Sequence, residues 1–280
     1  MELTLGVTLA VLGAALLHAA WNAMIKSGRD VLLDTATIAL GSGAVVLPFL
    51  PLVALPERAA WPYLGASSII HIGYFFSLVG AYRAGDLSHG YPIMRGVAPL
   101  LVAVSALTWF GEAPSPATWT GIALICGGVL SLGLAGFDWK HSRAATGWAL
   151  ANAAIIACYT IVDATGVRSA GGAERYVLWM FMVMGLPFVL IVLAIRRGAF
   201  VQHAARHWRR GLGGGVLQAT AYGIALWAMT RAPVAAVAAL RETSVIFAAL
   251  IGAWVLHEGH VRRRLGGAAA VLAGVIALKL

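Results

Sequence analysis

The chain has 280 residues, 60% hydrophobic and 11% charged, against roughly 45–50% apolar and about 25% charged in an ordinary globular domain. With a mean hydropathy of +0.85 and only 20 Lys and Arg beside 11 Asp and Glu, it cannot clothe a water-facing surface. Its solvent is therefore mostly lipid. This excludes a cytosolic enzyme, a secreted domain and a nucleic-acid-binding module, and a net charge of +9 points to anionic headgroups instead.

A spanning helix needs about 20 apolar residues. Ten runs meet or approach that length: 3–25, 33–55, 61–82, 88–110, 117–136, 146–167, 175–195, 212–230, 234–256 and 265–280. Continuous apolarity over such lengths argues for helices, not strands. The first run follows Met1-Glu2, not a basic segment, so no cleavable leader is expected. It carries His18, Asn22 and Lys26 every fourth residue, a polar stripe on one helix face with Trp21 beside it. The third run offers His71, Tyr74 and Tyr82.

The fourth run reads SHGYPIMRGVAPLL. Arg95 lies deep in it, and a charge at membrane depth marks either a functional site or a structural ion pair. Pro92 and Pro99 remove backbone donors and leave the carbonyls of Ser88 and Arg95 without their usual partners. Tyr91 stands one turn before Arg95 on the same face. Glu112 follows this run as a boundary residue, as Glu258 follows the ninth. Gly121 and Gly128 in the fifth run, and Gly267 and Gly274 in the tenth, give small faces for close packing within or between protomers.

The sixth run places Asn152, Tyr159 and Asp163 on one face. Asp163 either pairs with an arginine, relays a proton or marks a helix end. The segment from Arg196 to Gly211 is basic, with Phe200 and Trp208, and is expected to lie at the interface. The eighth run contributes Gln218 and Tyr222, and the ninth carries Arg241 with Glu242 adjoining it. Glu242 is either a proton carrier or a fixed counter-ion. Cys126 and Cys158 lie inside apolar runs and read as small core residues. No zinc or Gly-Lys-Ser/Thr phosphate-loop spacing occurs in the chain, so no cofactor, no metal and no direct ATP use are expected.

The chain repeats itself. Arg95 precedes Glu112 by 17 residues, as Arg241 precedes Glu258. A shift of 146 also superposes Gly121 on Gly267 and Gly128 on Gly274, and a shift of 148 places Tyr74 on Tyr222. Two halves of five helices each, an odd number, must enter the membrane from opposite sides. The expected fold is therefore all-α, with ten spans in two inverted repeats over residues 1–137 and 145–280. This architecture binds substrate between repeats near the midplane. Loops on one side carry 13 Lys and Arg against 5 on the other, which by the positive-inside rule puts both termini outside.

Three stretches resemble the drug/metabolite transporter superfamily, in its ten-helix EamA-type members: LLHAAWNAMIK, WFGEAPSPATWTGIALICGGVLSLG and VLHEGHVRRRLGGAAAVLAGVIALKL. The stretch AYRAGDLSHGYPIMRGVAPLL is similar to a branch of that family associated with phosphonate utilisation. The resemblance implies two EamA repeats and a secondary transporter or exporter of small metabolites in the inner membrane. It also implies both termini in the cytoplasm, against the loop count, so orientation stays open.

The residues and the resemblance together lead to a carrier, not an enzyme, for a small polar metabolite, anionic or zwitterionic. Arg95 and Arg241 are expected to hold the anionic group. Tyr91, Tyr74, Tyr222, His18, Asn22, Trp21 and Gln218 are expected to line the pocket, and Glu242 and Asp163 to serve proton coupling. Lipids, a coupling proton or sodium ion and a homodimer partner are the associated expectations. The alternatives are an intramembrane enzyme, which needs a nucleophile facing a base, and a non-transporting sensor or assembly subunit.

Overall fold

Every regular element among the described residues of the computed structural model, 2–84, 87–134, 143–255 and 261–279, is helical. In chain order these are α1 (Leu5–Lys26), α2 (Val31–Val46), α3 (Trp61–Ala84), α4 (Leu87–Phe110), α5 (Pro116–Leu134) and α6 (Arg143–Arg168). Then follow α7 (Ala173–Arg206), α8 (Trp208–Met229), α9 (Val234–Arg241), α10 (Ser244–Val255) and α11 (Val261–Ala277). Six segments are long and apolar enough to cross a membrane, and α5 and α11 contain shorter apolar stretches. The protein is thus a multi-pass membrane protein. Glu258, His257 and His260 lie outside the described residues, as does the loop around Asp138.

Local chemistry sets the boundaries. Thr4 caps α1 by accepting from the Val7 N–H, and Asp30 caps α2 by accepting from Leu32 and Leu33, which satisfies donors that a helix start leaves free. The second run is not one α-helix to residue 55. It tightens into a 3-10 turn at Leu47–Leu52, where Pro48 and Pro51 withhold their N–H groups.

The ninth run also departs from expectation, because it is broken after Arg241. Thr243 donates its hydroxyl to the Leu240 carbonyl at 2.7 Å, and the Glu242 N–H turns back to Ala239. These bonds satisfy the last carbonyls of α9 locally, and α10 starts afresh at Ser244. The basic segment after residue 195 remains helical apart from a break at Arg197, whose φ of 40° and ψ of −121° are not helical.

That segment is strapped across the turn between α1 and α2. Arg196 pairs with Asp30 at 3.2 Å and His203 meets Asp34 at 3.0 Å. Arg210 donates to the Met24 carbonyl and to Ser27 Oγ. Phe200 is buried and Trp208 exposed, the split that an interfacial helix produces. Cys126 is buried, but Cys158 is exposed, which corrects its reading as a core residue. In lipid the outer face of a helix is as apolar as the inner one, so hydropathy does not separate them.

Packing pairs helices from opposite ends of the chain. α1 lies on α8, and α3 on α6. α4 rests on α5 and α6, α9 and α10 rest on α1, and α2 packs on both α7 and α8. The α5–α11 crossing is built on the glycines, so these small faces are spent within the chain. A Cβ on Gly121 would lie 2.9 Å from the Gly274 carbonyl oxygen, one on Gly274 would lie 2.7 Å from that of Gly121, and one on Gly128 2.8 Å from that of Gly267. Backbone therefore meets backbone, as small residues permit. Replacing Gly128 by Leu should push the two helices apart and cost about 1–3 kcal/mol, the range for overpacking. Gly127, with open space around its Cβ position, is the control. A Gly128→Leu protein that unfolds in detergent at the same temperature as Gly127→Leu would contradict this packing.

Candidate functional site

A cavity lies among α1, α3, α6, α7, α8 and α9. Its wall carries His18 and Trp21 from α1, and His71, Tyr74 and Phe75 from α3. Tyr159 comes from α6, Phe181 and Met184 from α7, Gln218 and Tyr222 from α8, and Arg241 from the last turn of α9. Side chains from both halves of the chain meet there, and among the described residues Arg241 is the one Asp, Glu, Lys or Arg on the wall.

Eight of the eleven lining residues carry rings, and these hold one another in place. His71 stacks on Tyr159 with centroids 4.3 Å apart, and Tyr74 meets Tyr159 edge-on at 5.7 Å. His18 and Trp21 form an edge-on pair at 5.1 Å. Tyr222 approaches both His71 and Tyr159 edge-on. Polar contacts fix the rings further. His71 Nδ1 lies 2.9 Å from the Ser67 carbonyl oxygen, and the Ser42 hydroxyl donates to Gln218 Oε1 at 2.7 Å. With its oxygen so engaged, the Gln218 amide keeps its N–H donors for other partners. The Ser67–His71 contact lies within one helix turn around a fully buried serine, which is anchoring geometry and not a nucleophile facing its base.

The two arginines that sequence reasoning paired have different surroundings. Arg95 Nε lies 2.7 Å from Glu242 Oε2, and both side chains are 4% exposed. Arg95 Nη2 is also 3.4 Å from Ser244 Oγ, on the first residue of α10. The junction of α9 and α10 thus presents an acid and a hydroxyl to the guanidinium, and Arg95 lies off the cavity lining. Arg241 instead faces the cavity, its Cζ 4.9 Å from the centre of the Tyr222 ring. Among the described residues no carboxylate lies within ion-pair distance of it.

Asp163 is fully buried and accepts two hydroxyl bonds, from Tyr176 at 2.9 Å and Tyr222 at 2.6 Å. The Tyr222 ring that it anchors is the one under the Arg241 guanidinium.

The other expected residues are dispersed. Trp21, Tyr74, Tyr222, His18 and Gln218 line the cavity. Asn22 spends its amide on the His18 carbonyl one turn earlier, and Tyr91 has a buried hydroxyl without a partner. Asn152 leaves the cavity to brace α3, donating to the Tyr74 carbonyl and to Ser77 Oγ. Phe75, Phe181 and Met184 carried no sequence signal, being apolar residues in apolar runs. Glu112 proves to be more than a boundary. It holds Arg168 at 2.8 Å and accepts the Val234 N–H at the start of α9, so it ties α6 and α9 to the end of α4.

Comparison with known proteins bears on the fold and on the second half of the chain. Residues 144–280 match the EamA-like transporter family. A solved structure, titled only as the crystal structure of a protein, shares the fold with a TM-score of 0.72 and 17% identity. The match covers 97% of this chain and 94% of that one. No curated protein sequence matches the chain.

The Arg95–Glu242 pair makes a prediction about stability. Removing one partner of a buried pair strands the other charge, at about 3–5 kcal/mol, whereas replacing both by apolar groups is often close to neutral. Glu242→Leu should therefore lower the unfolding temperature in detergent more than the double variant Arg95→Met/Glu242→Leu does. Equal or additive losses would mean that the two groups do not depend on each other.

Proposed function

We propose that the protein is a ten-span secondary transporter of the inner membrane that moves a small anionic metabolite bound in the aromatic cavity. The family match supports transport of small molecules. The reading includes two inverted repeats, over residues 1–137 and 145–280. It is supported by the exchange of packing partners: the first helix of each half lies on the third of the other, α1 on α8 and α6 on α3. The reciprocal glycine contacts between α5 and α11 fit a two-fold relation at that crossing.

The observation that carries the proposal is Arg241, a permanent cation on the cavity wall that stands against the Tyr222 ring and has no carboxylate within ion-pair distance among the described residues. A guanidinium does not deprotonate in proteins and offers a fork that grips carboxylate or phosphonate with two bonds. Arg95 is neutralised by Glu242, so it adds little positive potential while that acid is ionised. Protonation of Glu242 would remove the counter-charge and leave two uncompensated guanidinium groups around the site. An anion would then be attracted together with the proton, which gives proton-coupled uptake of the anion a physical basis.

Thermal stabilisation by a panel of small carboxylates and phosphonates tests the first part. A ligand at about 100 times its Kd adds about 2.7 kcal/mol to the folded state. Wild-type protein should be stabilised by at least one panel member. A folded Arg241→Ala variant should lose that response, and Arg241→Lys should regain part of it, because the fork is gone but the charge remains. Equal stabilisation of wild type and Arg241→Ala would remove Arg241 from the site.

The second part concerns coupling. In vesicles, Glu242→Gln should bind the anion equally well across the pH range and no longer respond to a proton gradient. Gradient-driven uptake unchanged from wild type would exclude Glu242 from coupling.

A further inference from the structure

The cavity wall specifies more than a negative charge. We infer that the preferred ligand is an aromatic monoanion, a ring carrying one carboxylate or comparable acid and no ammonium group; this rests on the reading of the cavity as the substrate site. Two features of the wall lead there, one for the ring and one for the missing ammonium.

The first is the arrangement of rings. His71, Tyr74, Tyr159 and Tyr222 are in mutual contact on one side, with centroids 4.3–6.2 Å apart. His18 and Trp21 belong to α1 and complete the wall. Edge-on pairs dominate this cluster. Such a surface presents both ring faces and ring edges to a guest, and aromatic pairs in those geometries gain about 0.5–1.5 kcal/mol beyond the area they bury. A saturated guest of the same shape forgoes that gain.

The second is the balance of donors and acceptors. The lining has the Arg241 guanidinium, the Trp21 indole, the His18 and His71 rings, the Tyr74 and Tyr159 hydroxyls and the Gln218 amide, whose oxygen accepts from Ser42. It has no carboxylate. The two acids nearest the site are occupied, Asp163 by two tyrosine hydroxyls and Glu242 by Arg95. An ammonium group entering this cavity would meet no anionic partner and would stand in the same field as Arg241. Burying an unpaired charge is heavily penalised, so a zwitterion loses on its ammonium what it gains on its carboxylate.

Four probes of related shape separate these contributions when titrated into purified full-length protein in detergent. They are phenylacetate, cyclohexylacetate, phenylalanine and 2-phenylethylamine. Phenylacetate should bind most tightly. Cyclohexylacetate should be several-fold to about tenfold weaker, the aromatic gain expressed as affinity. Phenylalanine should be weaker than phenylacetate by about a hundredfold or more, and 2-phenylethylamine should not bind. Cyclohexylacetate equal to phenylacetate would overturn the aromatic preference, and phenylalanine equal to or tighter than phenylacetate would overturn the exclusion of ammonium. Either failure leaves the anion-carrier reading intact. If all four fail but a small aliphatic phosphonate or carboxylate binds in an Arg241-dependent way, the aromatic inference alone is wrong. If no anion of any kind binds the wild-type protein, the carrier reading falls with it. The comparison is made on the wild-type chain, so it does not depend on any variant folding.

Discussion

The cavity depends on two buried arginines that meet different partners, Arg95 a carboxylate and Arg241 a ring. Arg95 and Glu242 meet at 2.7 Å in an environment almost without solvent, where an unpaired charge would destabilise the fold by several kcal/mol. The acid follows Arg241 directly, where α9 gives way to a short stretch of tighter i to i−3 bonds before α10. Ser244, at the start of α10, also meets Arg95, so the junction between the two helices supplies the guanidinium with an acid and a hydroxyl.

Arg241, one residue before the break, keeps its charge toward the cavity. Its contact with Tyr222 is favourable and desolvated, but a ring quadrupole cancels far less charge than a carboxylate does. Asp163 lies behind that ring, held by two hydroxyls, and fixes where Tyr222 stands. The order Arg241, Tyr222, Asp163, Tyr176 thus links α9, α8, α6 and α7. These four helices all belong to the second half of the chain, and α1 and α3 of the first half complete the cavity wall.

The helical bundle was legible in the chain because apolar runs of helix length have few other solutions in lipid. The 146-residue recurrence of Arg95 and Glu112 at Arg241 and Glu258 singled out both arginines. Spacing could not distinguish them, because what separates them is the partner each finds on another helix. The stripe through His18 and Asn22 was also real as a helix face, yet His18 reaches the cavity and Asn22 turns to its own backbone. Phe75, Phe181 and Met184 were invisible for a simple reason: in a membrane protein an apolar residue carries no information about whether it faces lipid, core or cavity. Cys158 was misplaced on the same ground.

The central claim is that an anion seats on Arg241 inside the aromatic cavity while Arg95 stays with Glu242. A crystal structure grown with 4-iodobenzoate tests it most directly, because the anomalous signal of iodine locates the ligand independently of any assumed pose. The account predicts an iodine peak inside the cavity, the carboxylate in contact with the Arg241 guanidinium, and the Arg95–Glu242 contact intact in the ionised state. Iodine found only on the lipid-facing surface, or a carboxylate seated on Arg95 with Glu242 displaced, would contradict it.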